Sequence, residues 1–200
     1  MFDERVRAVL PRLMTPLARP LARAGVTPNA VTAAAFVTAA AAAVLIGTGS
    51  PRAGLAVWLV SRVGDGLDGV LARVTGRSSA FGGYLDITFD MSAYSVVALG
   101  FAAAHPELGL VWPAILMGYT LAITTTLALS SAALAAGRRV SDTNRTFQFT
   151  TGVAEAGETT VMYVLWVVFP HWIAWLAWVW FAMILLTVVQ RTWLAHRVLG

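Results

Sequence analysis

The sequence predicts an all-α integral membrane protein: a six-transmembrane-helix bundle with an N-terminal amphipathic surface helix. Three observations predict it. The 200 residues are 58% hydrophobic, with a mean hydropathy of +0.72, too apolar for a soluble domain. Six stretches are apolar over lengths approaching or exceeding the roughly 20 residues that cross a bilayer. The period-2 alternation of a membrane barrel is absent, which leaves helices as the way to satisfy the backbone inside lipid.

Residues 1–27 read as an amphipathic juxtamembrane segment. Val6, Leu10, Leu13, Leu17 and Leu21 recur at helical spacing, with Arg5, Arg12 and Arg19 elsewhere on the surface, as suits a helix lying on a membrane. Pro11, Pro16 and Pro20 should interrupt or kink it. The basic start is not followed by the apolar core and cleavage site of a signal peptide. Residues 28–200 read as the transmembrane domain. Thr27 or Asn29 can cap the first span, Asn29–Thr48. The others are Ala53–Val74, Gly82–Ala104, Leu108–Ala136, Glu158–Phe169 and His171–Arg191, the short fifth reaching back toward Gly152.

All 14 basic residues are arginines, and the pI is near 10.3. Such charge can signal nucleic acid, but here it follows membrane topology, so no nucleic-acid partner is expected. Arg5 to Arg23, Arg73 and Arg77, Arg138 to Arg145, and Arg191 and Arg197 fall in every other connection, all on one side of the expected bundle; the opposite loops carry only Arg52. The positive-inside rule then puts both termini of a multi-pass cell-membrane protein in the cytoplasm. Trp172, Trp175, Trp178 and Trp180 suit an aromatic belt on the far side. Without cysteine there is no disulfide and no thiolate metal site.

The chemistry lies in spans two and three. Asp65 and Asp68 stand three apart, and Asp86 and Asp90 four apart, so each pair shares a helical face. A carboxylate at mid-membrane costs about 2.5–3.5 kcal/mol, and four would cost on the order of 10 kcal/mol. Arg62 and Arg73 cannot neutralise them all. Caps or surface ion pairs explain one such aspartate more readily than four. Hard divalent cations take carboxylates together with substrate phosphates, so two facing helices could hold one or two ions. An intramembrane cation transporter or channel would use the same aspartates. It leaves Gly69, Ala72 and Arg73 unexplained. Small residues at 69 and 72 open the backbone to a ligand or to a packed helix. Arg73, one turn beyond Gly69, can reach a phosphate. Together these suggest a pyrophosphate donor.

The pattern Asp65-x2-Asp68-Gly69-x2-Ala72-Arg73-x8-Gly82-x3-Asp86-x3-Asp90 resembles the complete signature of the CDP-alcohol phosphotransferases, also called CDP-alcohol phosphatidyltransferases. The segment Val26-Thr27-Pro28-Asn29-Ala30-Val31-Thr32 is also family-like, and residues 169–178 and Gln190-Arg191 look like small bacterial members. The resemblance implies six spans and a homodimer. It implies Mg²⁺ or Mn²⁺, two ions per subunit, held by Asp65, Asp68, Asp86 and Asp90, with Asp90 also the catalytic base. It implies a CDP-linked lipid donor, most simply CDP-diacylglycerol, contacted by Asn29, Ala30, Val31, Thr32, Gly69, Ala72, Arg73 and Ser79. An alcohol acceptor would attack and CMP would leave. Arg191 aligns with an acceptor-side basic residue, whose other reading is a membrane-edge anchor, and Glu158 is a second acceptor-side candidate. Relatives with sugar-phosphate acceptors often carry Pro-Glu-Arg at the start of span five. Here the chain reads Gly157-Glu158-Thr159, which disfavours inositol phosphate without choosing among the other alcohols.

Overall fold

A computed structural model describes the backbone of residues 2–138 and 153–200, with side chains from residue 13 onward. The expected start of the fifth stretch near Gly152, the loop arginines Arg139 and Arg145, and the side chains of Arg5, Arg7, Arg12, Val6 and Leu10 lie outside the described residues.

Among those residues there are seven α-helices and no strand: α1 Phe2–Arg23, α2 Pro28–Gly47, α3 Pro51–Thr75, α4 Ala80–Ala104, α5 Val111–Ala135, α6 Ala156–Val168 and α7 Ile173–Leu199. Single 3-10 turns, Pro106–Leu108 and Pro170–Trp172, precede α5 and α7. The six expected stretches therefore all become helices, α2 to α7, behind the N-terminal one. The count of six membrane crossings is not confirmed. Among the described residues, only α2, α4, α5 and the segment Pro170–Leu199 are long and apolar enough to cross by themselves. α3 is interrupted by Arg62, Asp65 and Asp68, and α6 has 13 residues, about 20 Å at 1.5 Å each.

The chain divides into two units, residues 1–106 and 107–200. In the first, α2 packs against both α3 and α4, and α1 packs against α3. The α2 contact face is built from Ala35, Ala39, Ala42 and Ala43, all buried. Opposite it the neighbours are reduced to glycine. A Cβ on Gly54 would lie 2.5 Å from the Ile46 side chain, and one on Gly100 2.5 Å from the Ala43 carbonyl oxygen. Lipid gives apolar side chains no reason to leave it, so membrane helices associate through such close approach.

α1 runs unbroken through Pro11, Pro16 and Pro20, contrary to the expected interruption. Its face does not rest on lipid alone. Ala18 is fully buried against Val70 and Leu71 of α3, with Met14, Leu21 and Ala22 alongside, while Leu13 and Leu17 stay exposed. This packing holds a helix that three prolines weaken.

In the second unit α5 and α6 each pack on α7. Trp180 is buried there and donates to the Tyr119 hydroxyl (2.9 Å), which lies 3.1 Å from that of Tyr163. Of the four tryptophans expected in an aromatic belt, Trp180 is therefore a core residue instead. Trp172, Trp175 and Trp178 repeat every three residues and are exposed; Trp180 falls on another face.

Candidate active site

The site is assembled at the ends of three helices. Thr27 caps α2, accepting from the Ala30 N–H at 3.3 Å, and so settles the choice left between Thr27 and Asn29. Asn29 then lies in the first turn and turns its amide oxygen toward α4, where a Cβ on Gly82 would sit 3.2 Å away. α3 ends in a left-handed cap at Gly76 (φ 67°), with the Arg77 N–H bonded to the Ala72 carbonyl at 3.0 Å. Ser79 starts α4 by accepting from the Gly82 N–H at 2.9 Å. This compact connection returns the chain so that α4 runs back beside α2, with Phe36 and Phe89 stacked 5.1 Å apart.

The four aspartates occupy one locality of this unit. Asp65 is within electrostatic range of Asp68, Asp86 and Asp90. Asp68 is buried and accepts a 2.5 Å hydrogen bond from Thr32 of α2. Asp86 is exposed, and Asp90 is half-buried. Arg62 donates to Asp90 Oδ1 and lies 3.6 Å from Asp65 Oδ2. Among the described residues no three carboxylates already close into a cation cage. The donor set is nonetheless all oxygen and anionic, and a cationic guanidinium is drawn into it, so it fits a hard divalent ion in chemistry.

Around these groups, Gly69 faces open space except for Arg73, whose Nη1 would lie 3.6 Å from a Cβ there. Arg73 thus folds back over the bare backbone of α3, while its helix position leaves it exposed. Ala30 is exposed, Val31 and Ala72 are half-buried, and Ser79 is exposed. Thr32 also has a partner on α3: its hydroxyl serves Asp68 and lies 3.1 Å from the Pro28 carbonyl oxygen.

Trp58 and Tyr94 are the residues that sequence reasoning missed as parts of this locality, and Arg62 was read there only as a partial counter-charge. A signal was present: Trp58 and Arg62 are four apart, as are Asp90 and Tyr94, which places each pair on one face. Arg191 and Glu158, the acceptor-side candidates, belong to the second unit. Arg191 is buried, donates to the Ala122 carbonyl at 2.9 Å and interacts with Glu155. Its Nε and Glu158 Oε2 are buried without a hydrogen-bond partner among the described residues. Thr159, at the position where an arginine would complete Pro-Glu-Arg, is buried and bonds its own helix through the Glu155 carbonyl.

Four aspartates gathered in one unit of an apolar helical protein, with an arginine folded over bare backbone on one of the same helices, suit an enzyme that handles phosphate esters in a membrane. Residues 25–192 match the sequence model of the CDP-alcohol phosphatidyltransferases, and the chain belongs to that family. It is a membrane transferase of phospholipid synthesis. It is 34% identical over 196 residues to the inner membrane protein YnjF of Escherichia coli K12, covering 96% of this chain and 94% of that one. Its fold is similar to Mycobacterium tuberculosis phosphatidylinositol phosphate synthase, PgsA1. The crystal structure of PgsA1 with manganese and citrate matches at TM-score 0.76 and 25% identity, covering 94% of this chain and 90% of that one. The structure with CDP-DAG bound matches at TM-score 0.71 and 25% identity, covering 94% and 96%.

Proposed function

We propose that the enzyme transfers a phosphatidyl group from CDP-diacylglycerol to an alcohol, with release of CMP, and that it requires Mg²⁺ or Mn²⁺. The observation that carries this reading is the gathering of Asp65, Asp68, Asp86 and Asp90, with Arg73 folded over the open backbone at Gly69 one turn further along α3. Manganese and CDP-DAG in the PgsA1 crystal structures support it.

Asp65, Asp68, Asp86 and Asp90 would hold the ions, two per subunit; when bound they supply neutralisation of the phosphates and a more acidic acceptor hydroxyl. Arg73 binds the donor pyrophosphate through charge-assisted hydrogen bonds, with Gly69 and Ala72 keeping the backbone accessible. Asn29, Ala30, Val31, Thr32 and Ser79 line the nucleotide side. Thr32 does so by holding Asp68, and Ser79, which accepts from Gly82, keeps a hydroxyl hydrogen to donate. Asp90 takes the acceptor proton. The acceptor oxygen bonds to the phosphorus distal to cytidine, and the bond from that phosphorus to CMP breaks. Arg191 and Glu158 are the acceptor-side candidates of the second unit. The enzyme works as a homodimer, with both termini in the cytoplasm, where CMP is released.

The test is CMP release by detergent-purified enzyme with CDP-diacylglycerol and a panel of acceptors, the lipid product being weighed by mass spectrometry. Glycerol phosphate, inositol, inositol phosphate and phosphatidylglycerol belong in the panel. EDTA should abolish release and Mn²⁺ should restore it. Full activity in metal-free buffer would overturn the proposal.

A further inference from the structure

Arg62 lies outside the nine residues of the aspartate pattern in α3, Asp65 to Arg73, yet it has the most elaborate setting of any cation in the first unit's described residues. Its guanidinium carbon sits 4.2 Å from the Trp58 ring centroid and 5.1 Å from that of Tyr94. The two rings meet edge-on, 5.6 Å apart. Nη1 donates to Asp90 Oδ1 and lies 3.3 Å from the Tyr94 hydroxyl, while Nη2 donates to Ser61 Oγ at 3.2 Å. Ser61 is itself anchored, donating to the Ala35 carbonyl of α2 at 2.8 Å. The Arg62 side chain is 13% exposed. Its Nε faces no acceptor among the described residues, so full hydrogen bonding is not what chose this place. The aromatic faces and the carboxylates chose it.

We infer that Arg62 is a built-in counter-cation and positioning residue: it fixes Asp90 through Oδ1 and balances the carboxylates before any metal ion arrives. The inference rests on the reading of the four aspartates as ion ligands. Its physical consequence has two opposed signs. A fixed positive charge beside the ligands lowers their affinity for a divalent cation. The same contact holds Asp90 in the orientation from which it takes a proton. Removing Arg62 should therefore tighten metal binding while slowing turnover. A residue that merely supports the fold would weaken both.

The experiment uses the full chain in detergent. Mn²⁺ affinity is read from thermal unfolding, and CMP release is measured at saturating Mn²⁺. In Arg62→Gln the Mn²⁺ concentration for half-maximal stabilisation should fall about three- to tenfold. Its kcat should fall about tenfold or more, with the donor KM within about twofold of the parent value. Arg62→Lys keeps the charge but cannot lay a planar group on two rings. It should show parent-like Mn²⁺ dependence with a reduced kcat. A higher Mn²⁺ requirement in Arg62→Gln, or parent turnover in either variant, overturns the assignment. Should Arg62→Gln fail to fold, Arg62→Lys decides in the same way. Asp65→Asn separates the two levels. If Mn²⁺ stabilises the parent but not Asp65→Asn, and the Arg62 variants match the parent, the Arg62 inference alone falls. If Mn²⁺ does not stabilise the parent and EDTA leaves activity intact, the ion-ligand reading falls and takes Arg62 with it.

Discussion

Two aspartates of the site, Asp68 and Asp90, have different hydrogen-bond partners, and that difference separates their expected roles. Asp90 meets Arg62, and Asp68 meets Thr32. An amide at 90 keeps the shape but cannot accept a proton. Asp90→Asn should lower kcat at least about 100-fold while leaving CDP-lipid protection against thermal unfolding nearly unchanged. Asp65→Asn should lose both. Substantial turnover by Asp90→Asn at saturating metal would make Asp90 a ligand only. Thr32→Val preserves volume but removes the donor from a buried carboxylate, a loss worth about 1–3 kcal/mol. It should reduce both thermal stability and metal response, and Thr32→Ser should recover most of each. Equal behaviour of the Val and Ser variants would place Thr32 back on the donor. The aspartates, Gly69 and Arg73 were legible in the sequence because helical spacing fixes their faces. The Thr32–Asp68 bond was not, because it joins residues 36 apart and leaves no periodic trace.

Among the elements, α2 to α7 lie close to where apolar runs and caps placed them. α6 stays short, as its apolar run requires. The continuity of α1 was not legible: proline chemistry argues for a break or kink, and the tertiary packing around Ala18, Val70 and Leu71 opposes the break. The packing of α2 was half legible. The alanines were visible as part of a span, but which of them meet glycine depends on helix rotation. Gly100→Ala puts a methyl group against the Ala43 backbone, which cannot yield as a side chain would. It should destabilise the first unit by about 1–3 kcal/mol, measured as lowered thermal stability in detergent. Val37→Ala, on the exposed side of α2, is the control and should leave stability near the parent value.

For the whole molecule, arginine distribution carries the orientation. Arg77 precedes α4 and Glu107 follows it, with 25 helical residues between the turns. Introduced singly into this cysteine-free chain, Arg77→Cys and Glu107→Cys should label from opposite sides of sealed vesicles, the former from the cytoplasmic side. Labelling of both from one side would remove α4 from the set of crossings.

The alanine and glycine seam of α2 bears on how the carboxylates of α3 and α4 are kept still. Side chains such as leucine or methionine give up rotameric freedom when helices lock together, whereas alanine and glycine have none to give up. The helices that carry Asp68 and Asp90 are thus fixed against α2 with little side-chain entropy surrendered, and the seam has few alternative rotamers through which to loosen on warming.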